Sequence, residues 1–76
     1  MFEDIRMLIC EKQKLLVEEV QPESSLTNDL HMDSLDVVEL VMEVENEFKI
    51  SIGDEASDRL RTVQDLVTVV EKLTKT

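Results

Sequence analysis

The chain has 76 residues, 42% of them hydrophobic, and its 18 acidic residues outnumber its 8 basic ones, giving a net charge of −10. This length predicts a single domain, residues 1–76, held together by an apolar core. So negative a chain repels nucleic acid, no apolar run is long enough for a membrane span, and we expect no secretory leader. Since there is one cysteine and one histidine, neither a disulfide nor a structural zinc site is expected.

The first predicted element is an amphipathic helix over about residues 3–15. Its apolar side chains are spaced three and four apart, at Phe2, Ile5, Leu8 and Ile9. We expect Cys10 on this helix to be a small core residue rather than a reactive thiol. The apolar residues 15–17 leave the end of the helix open, because they could also begin a loop that covers the core.

A long connection follows, over residues 17–33. It contains Pro22 and a cluster of Ser, Thr and Asn within residues 24–28. Long ordered loops in small domains are usually functional or held by buried side chains. Leu26 and Leu30, four residues apart, are the predicted anchors.

The second helix has the clearest signals, and it is predicted from Ser34 to about Phe48. Asp33 is a suitable N-cap, and Asp36 lies at the spacing of a capping box. One face has the periodicity of a core face: Val37, Leu40, Val41, Val44 and Phe48.

A second apolar stripe on the same helix consists of Leu35, Val38 and Met42, and acidic residues lie between them. Residues 29–58 hold ten acidic residues and one lysine, which is −9 of the net charge of −10. In a small domain this stripe could be wrapped by other elements. The alternative is an exposed apolar strip in an acidic rim, suited to receiving a basic partner protein.

The remaining elements are predicted to be helical. Residues 49–53 are too short to indicate a strand without a pairing partner, and a short helix follows over about residues 54–60. Thr62 and Asp65 have capping-box spacing at the start of the last helix. We therefore predict an all-α fold, a small four-helix bundle of three main helices and a short one, with a long loop after the first.

Catalytic and metal-binding patterns are poor. The acidic residues lack the spacing and the glycine of a calcium-binding loop, and Cys10 and Ser34 have no adjacent base and orienting group. We therefore expect neither an enzyme nor a metal site. Ser34 is either an ordinary residue at a helix start or a site for modification by another enzyme.

Three blocks of the sequence resemble the acyl carrier protein family, of the stand-alone type of fatty-acid synthesis. Residues 29–36 resemble the family's D-L-G-x-D-S-L-D motif, residues 50–55 its I-x-I-P-D-E loop, and residues 62–66 the start of its final helix. The resemblance covers nearly the whole chain, and it is densest from Asn28 to Leu66. One short motif would be weak, whereas these blocks in this order are specific.

The resemblance implies that Ser34 carries 4′-phosphopantetheine, transferred from coenzyme A by a phosphopantetheinyl transferase. The arm would hold acyl groups as thioesters and present them to basic-faced enzymes of fatty-acid synthesis, in a cytoplasmic, monomeric carrier. The implied recognition face consists of Asp33, Leu35, Asp36, Val38, Glu39, Met42, Glu45, Asp54 and Glu55. The alternatives are a carrier for a polyketide, amino-acyl or other specialised pathway, and an unmodified acidic adaptor protein.

Two residues depart from the family pattern. His31 occupies a glycine position that tolerates positive φ, and histidine is among the residues that tolerate this region best. Gly53 replaces a proline at the start of the short helix, which removes a fixed φ and is expected to loosen residues 49–58. Because of both departures, the sequence leaves open whether the chain serves fatty-acid synthesis or a specialised pathway.

Overall fold

Four α-helices and no strand are present in residues 2–74, the part of the chain described by the computed structural model. The helices are α1 (Phe2–Gln13), α2 (Ser34–Phe48), α3 (Asp54–Asp58) and α4 (Val63–Thr74). A short 3₁₀ helix, Val17–Glu19, lies in the long loop after α1. The predicted all-α fold of three main helices and a short one is confirmed, and α2 has the predicted bounds.

Helices α1 and α2 each lead into a lysine in the left-handed backbone conformation. Lys14 and Lys49 both have a φ of 55°. In both helices the N–H of the following residue donates to the carbonyl five positions before it, at 3.1 Å, an ending that usually uses glycine. The predicted end of the first helix at residue 15 is therefore wrong by two residues. The short helix likewise ends at Asp58 rather than at residue 60.

The core is built from one face of each main helix and from side chains of the loops. Its buried apolar residues are Ile5, Ile9, Cys10, Val20, Leu26, Leu30, Met32, Leu40, Val41, Val44, Ile52, Val63, Leu66, Val67 and Val70. The two predicted loop anchors, Leu26 and Leu30, are both fully buried. The assignment of Cys10 to the core is also confirmed, and burial raises the pKa of its thiol.

Residues 15–17 do not cover the core as one apolar segment. Leu15 packs partly against it, whereas Leu16 and Val17 are exposed. The reason is local, because the N–H of Leu16 donates to Glu19 Oε2 at 2.9 Å and the chain turns into the 3₁₀ helix there. The possibility of an apolar covering loop is therefore wrong for Leu16 and Val17.

The long loop is joined to the start of α4 by backbone hydrogen bonds. The N–H of Leu26 donates to the carbonyl of Arg61 at 2.8 Å, and the N–H of Val63 donates to the carbonyl of Ser24 at 3.1 Å. Thr62 and Asp65 form the predicted capping box, in which the Asp65 N–H donates to Thr62 Oγ1 and the Thr62 N–H donates to Asp65 Oδ2. The loop therefore has defined partners along its length, as its buried anchors suggested.

Gly53 precedes α3 with a backbone that suits proline. Its φ is −68°, close to the value that a proline ring fixes. A Cβ built there meets nothing within 4 Å, and no hydrogen bond uses its N–H among residues 2–74. Gly53→Pro is expected to raise the free energy of unfolding by about 0.5–1 kcal/mol, because it restricts the unfolded chain. Thermal denaturation measures this as a higher Tm.

Ser57→Pro is the control for this substitution. The N–H of Ser57 donates to the carbonyl of Gly53 at 3.0 Å inside α3, so proline at this position removes a hydrogen bond and is expected to lower the Tm. A Tm for Gly53→Pro at or below that of the wild type would contradict the expectation.

Candidate functional site

Ser34 is the first residue of α2, and it is exposed. The backbone around it is fixed by the predicted capping box. The N–H of Asp36 donates to Asp33 Oδ1 at 2.8 Å, and the N–H of Asp33 donates to Asp36 Oδ2 at 3.2 Å. Within residues 2–74 no hydrogen bond involves the hydroxyl of Ser34. The site therefore presents an unengaged hydroxyl on a rigid helix start.

The segment before Ser34 is held by a side chain from α1. Gln13 Nε2 donates to the carbonyl of Leu30 at 3.2 Å, and more weakly to that of His31 at 3.5 Å. His31 has a φ of 57°, so the expected positive-φ position is occupied by a histidine. Met32 is buried and its N–H donates to the carbonyl of Leu26. The approach to Ser34 is therefore pinned from both α1 and the loop.

The second apolar stripe of α2 lies on the surface. Leu35, Val38 and Met42 are 64%, 49% and 61% exposed. The opposite face of α2 carries the core residues Leu40, Val41 and Val44, with Val37 and Phe48 partly buried beside them. The alternative in which other elements wrap this stripe is therefore wrong, and the alternative of an exposed apolar strip is confirmed. It begins directly after Ser34.

The acidic residues of the implied recognition face differ in whether their carboxylates already have hydrogen-bond or ion-pair partners. Glu39 forms an ion pair with Lys12 on α1, with Nζ to Oε1 at 2.8 Å. Glu45 is partly buried, and its Oε2 accepts the N–H of Ile52 at 2.6 Å. This hydrogen bond joins α2 to the loop before α3, so the carboxylate of Glu45 stabilises the fold. Asp33 and Asp36 accept each other's backbone N–H groups.

The α3 residues Asp54 and Glu55 are exposed in the first turn of that helix. Glu55 lies 3.9 Å from Arg59, an exposed pair that contributes little. The predicted recognition face omits Glu43, which is exposed on α2 one turn beyond Glu39. The helical spacing of Asp36, Glu39 and Glu43 was the available signal for this residue.

The acidic segment makes the folded chain sensitive to salt. Residues 29–58 carry a net charge of −9, and within residues 2–74 only two of their carboxylates form ion pairs, those of Glu39 and Glu55. The Debye length falls from about 30 Å at 0.01 M to about 3 Å at 1 M salt. We therefore expect the Tm to rise as NaCl is added over this range.

A charge-reduced variant separates this effect from general salt effects. Glu43→Gln and Glu47→Gln, combined, remove two exposed carboxylates, so the increase in Tm with salt should be smaller than in the wild type. A Tm that does not change with salt would show that repulsion among these carboxylates does not destabilise the fold.

No helix within residues 2–74 has the length and apolar character needed to cross a bilayer. In the same residues, no three potential metal-ligating side chains come together. The features that remain are one exposed serine on a rigid helix start, an exposed apolar strip and a dense acidic surround. These features suit a carrier domain, whose serine must be accessible to a modifying enzyme and whose surface must receive other proteins.

Comparison with known proteins gives the family. The sequence model described as "Phosphopantetheine attachment site" matches residues 3–70. An acyl carrier protein of Helicobacter hepaticus is 44% identical over 70 residues, which are 92% of each chain. The crystal structure of an acyl carrier protein from Thermotoga maritima matches 93% of this chain and 82% of its own, with a TM-score of 0.81 and 35% identity. A putative acyl carrier protein from Mycobacterium tuberculosis matches 93% and 95%, with a TM-score of 0.88 and 30% identity.

The chain belongs to the acyl carrier protein family. It carries acyl intermediates on phosphopantetheine, and it is a carrier rather than a catalyst.

Proposed function

We propose that Ser34 is the attachment point of 4′-phosphopantetheine and that the chain delivers acyl groups to enzymes of fatty-acid synthesis. The observation that carries the proposal is the exposed, unengaged hydroxyl of Ser34 at the capped start of α2. The other serines are less suitable: Ser24 is buried, Ser25 Oγ accepts the N–H of Asn28, and Ser57 lies inside α3. Ser51 is exposed, but it lies in the loop before α3 rather than at a capped helix start.

Attachment needs Ser34 to act as a nucleophile toward coenzyme A on a transferase. The Ser34 oxygen forms a new bond to phosphorus, the pyrophosphate bond of coenzyme A breaks, the nucleotide half leaves, and the hydroxyl proton passes to a base of the transferase. This chain supplies no base itself, since its described residues place no hydrogen-bond acceptor on the hydroxyl. When attached, the group supplies a terminal thiol that carries acyl groups as thioesters.

The surroundings of Ser34 favour an arm that points outward. Free N–H groups at a helix start attract phosphate, but of the first three in α2 the N–H of Asp36 is already taken by Asp33. The carboxylates of Asp33 and Asp36 also repel a phosphate on Ser34. An arm that the chain does not grip can reach successive enzymes.

The recognition face is proposed to combine apolar contact with charge. Leu35, Val38 and Met42 supply exposed apolar area. Carboxylates around them attract partners with basic faces and accelerate their encounter. The proposed contributors are Asp33, Asp36, Glu39, Glu45, Asp54 and Glu55, of which Glu45 is the most constrained because of its bond to Ile52.

Mass spectrometry tests the attachment. The purified chain, incubated with coenzyme A and a phosphopantetheinyl transferase of broad specificity, is expected to gain the mass of one 4′-phosphopantetheine group. Peptide mapping should place the group on the peptide that contains Ser34. An unmodified chain beside a positive control carrier would contradict the proposal, as would a group on another residue.

The acyl group that the chain carries identifies the pathway that it serves. We propose a monomeric, cytoplasmic carrier of fatty-acid synthesis. The second candidate is a carrier dedicated to a specialised pathway, which is favoured by the left-handed His31 beside the site and by glycine in place of proline at position 53. The mass of the acyl group on the chain isolated from its source distinguishes them. Saturated and 3-oxo or 3-hydroxy fatty acyl groups support the first, and amino-acyl or polyketide groups support the second.

A further inference from the structure

Lys12 places a cation at the edge of the proposed recognition face. It lies on α1, 27 residues before Glu39 in sequence, and its Nζ donates to Glu39 Oε1 at 2.8 Å. The side chain of Lys12 is only 13% exposed, whereas that of Glu39 is 52% exposed. The lysine stem is therefore buried, and its ammonium group meets a carboxylate that remains half open to solvent.

Two further carboxylates act on the same ammonium group. Asp36 and Glu43 lie three residues before and four residues after Glu39 on α2, so the three form one ridge along the helix. The hydrogen bond with Glu39 raises the pKa of Lys12, and the charges of Glu39, Glu43 and Asp36 raise it further. Lys12 therefore keeps its positive charge to a higher pH than an ordinary lysine.

We infer that Lys12 occupies Glu39 and thereby weakens the binding of basic partners to the acidic ridge. This inference rests on the proposed function, in which basic-faced enzymes dock on α2. A partner's lysine or arginine must either displace Lys12 from Glu39 or bind Asp36 and Glu43 instead. Displacement is costly because Lys12 is tethered beside Glu39, at a high effective concentration, and its buried stem has little freedom left to lose.

The inference predicts which carboxylates matter. Glu43 is exposed, and within residues 2–74 it makes no hydrogen bond or ion pair that competes with a partner. Glu39 is engaged. In the wild type, removal of the charge on Glu43 should therefore weaken partner binding more than removal of the charge on Glu39, although both lie on the same ridge.

Lys12→Met tests the inference directly, because methionine keeps an apolar stem and removes the charge. The assay is steady-state modification of the apo chain by coenzyme A and a transferase with a basic protein-binding face, at low ionic strength. We expect the KM for the chain to fall by about two- to fivefold, the range of an exposed ion pair, with kcat unchanged. The difference should diminish in about 0.5 M NaCl. Damaged packing would instead raise the KM, so a lower KM excludes a loss of structure as the cause.

A double-mutant cycle completes the test. Glu39→Gln should raise the KM by less than about twofold in the wild type, but by about two- to fivefold in the Lys12→Met background. Lys49→Met is the matched control, because it removes one exposed positive charge about 15 Å along α2 from Glu39, and it should change the KM much less than Lys12→Met. If Lys12→Met folds poorly, Lys12→Gln serves as the second variant.

The outcomes separate this inference from the proposed function. If Glu43→Gln and Asp36→Asn raise the KM while Lys12→Met leaves it unchanged or higher, the inference is overturned and the recognition face stands. Equal effects of Lys12→Met and Lys49→Met would also overturn it, since net charge alone would then act. If no carboxylate substitution changes the KM, the proposed recognition face itself fails.

Discussion

Ser34→Ala is expected to abolish modification by the transferase completely. The substitution removes the only atom through which Ser34 can form the bond to phosphorus, and no neighbouring residue offers a hydroxyl in the same position, since Asp33 and Leu35 flank it. The measurement is intact-mass spectrometry after prolonged incubation with coenzyme A and transferase. The expected spectrum shows a single species at the mass of the unmodified chain.

The fold of this variant should remain intact, which makes the result interpretable. Ser34 is exposed, and its hydroxyl makes no hydrogen bond within residues 2–74, while the capping box uses Asp33 and Asp36. The Tm should therefore stay near that of the wild type. Ser51→Ala, at another exposed serine, is the control and should be fully modified. Modification of Ser34→Ala would show that the arm is attached elsewhere.

Leu30→Ala is expected to have the largest effect on stability. Leu30 is fully buried in the loop before the site, and truncation of such a leucine costs about 2–5 kcal/mol through lost burial and the cavity left behind. A domain of this size has a free energy of unfolding of about 4–11 kcal/mol. Urea denaturation should show a much lower midpoint, with part of the population unfolded before urea is added if the cost lies at the upper end.

Leu35→Ala is the matched control for Leu30→Ala. It removes the same side-chain atoms from a leucine five residues later in the sequence. Leu35 is exposed, so the free energy of unfolding should change by no more than about 0.5 kcal/mol. As part of the proposed recognition face, its loss should raise the transferase KM by about fivefold, equivalent to about 1 kcal/mol. Leu30→Ala should thus mainly lower the free energy of unfolding, whereas Leu35→Ala should mainly raise the transferase KM. Similar stability losses in both would contradict the assigned exposure of the apolar stripe.

Local signals predicted the start of α2 well, because the interactions that fix it lie within four residues. Asp33 and Asp36 satisfy each other's backbone groups, and a capping box is a property of neighbouring residues. The exposed stripe was harder to predict, since periodicity separates two faces of a helix but does not say which neighbours cover them. The structure resolves that choice for Leu35, Val38 and Met42.

The interactions that could not be predicted join residues far apart in sequence. Gln13 reaches the carbonyl of Leu30, and Lys12 reaches Glu39, and neither pairing has a periodic or compositional signal. The end of α1 was misplaced for a different reason. Lys14 adopts a left-handed conformation that lysine seldom prefers, so the usual glycine signal for a helix end is missing there.

The hydrogen bonds between the long loop and the start of α4 constrain the order of events during synthesis. Leu26 and Ser24 are bonded to Arg61 and Val63, so the loop that leads to Ser34 obtains these two bonds only after residue 63 has left the ribosome. A nascent chain that has exposed Ser34 but not α4 lacks this support. Attachment of the arm is therefore expected to follow translation of α4 rather than to accompany translation of the first two helices.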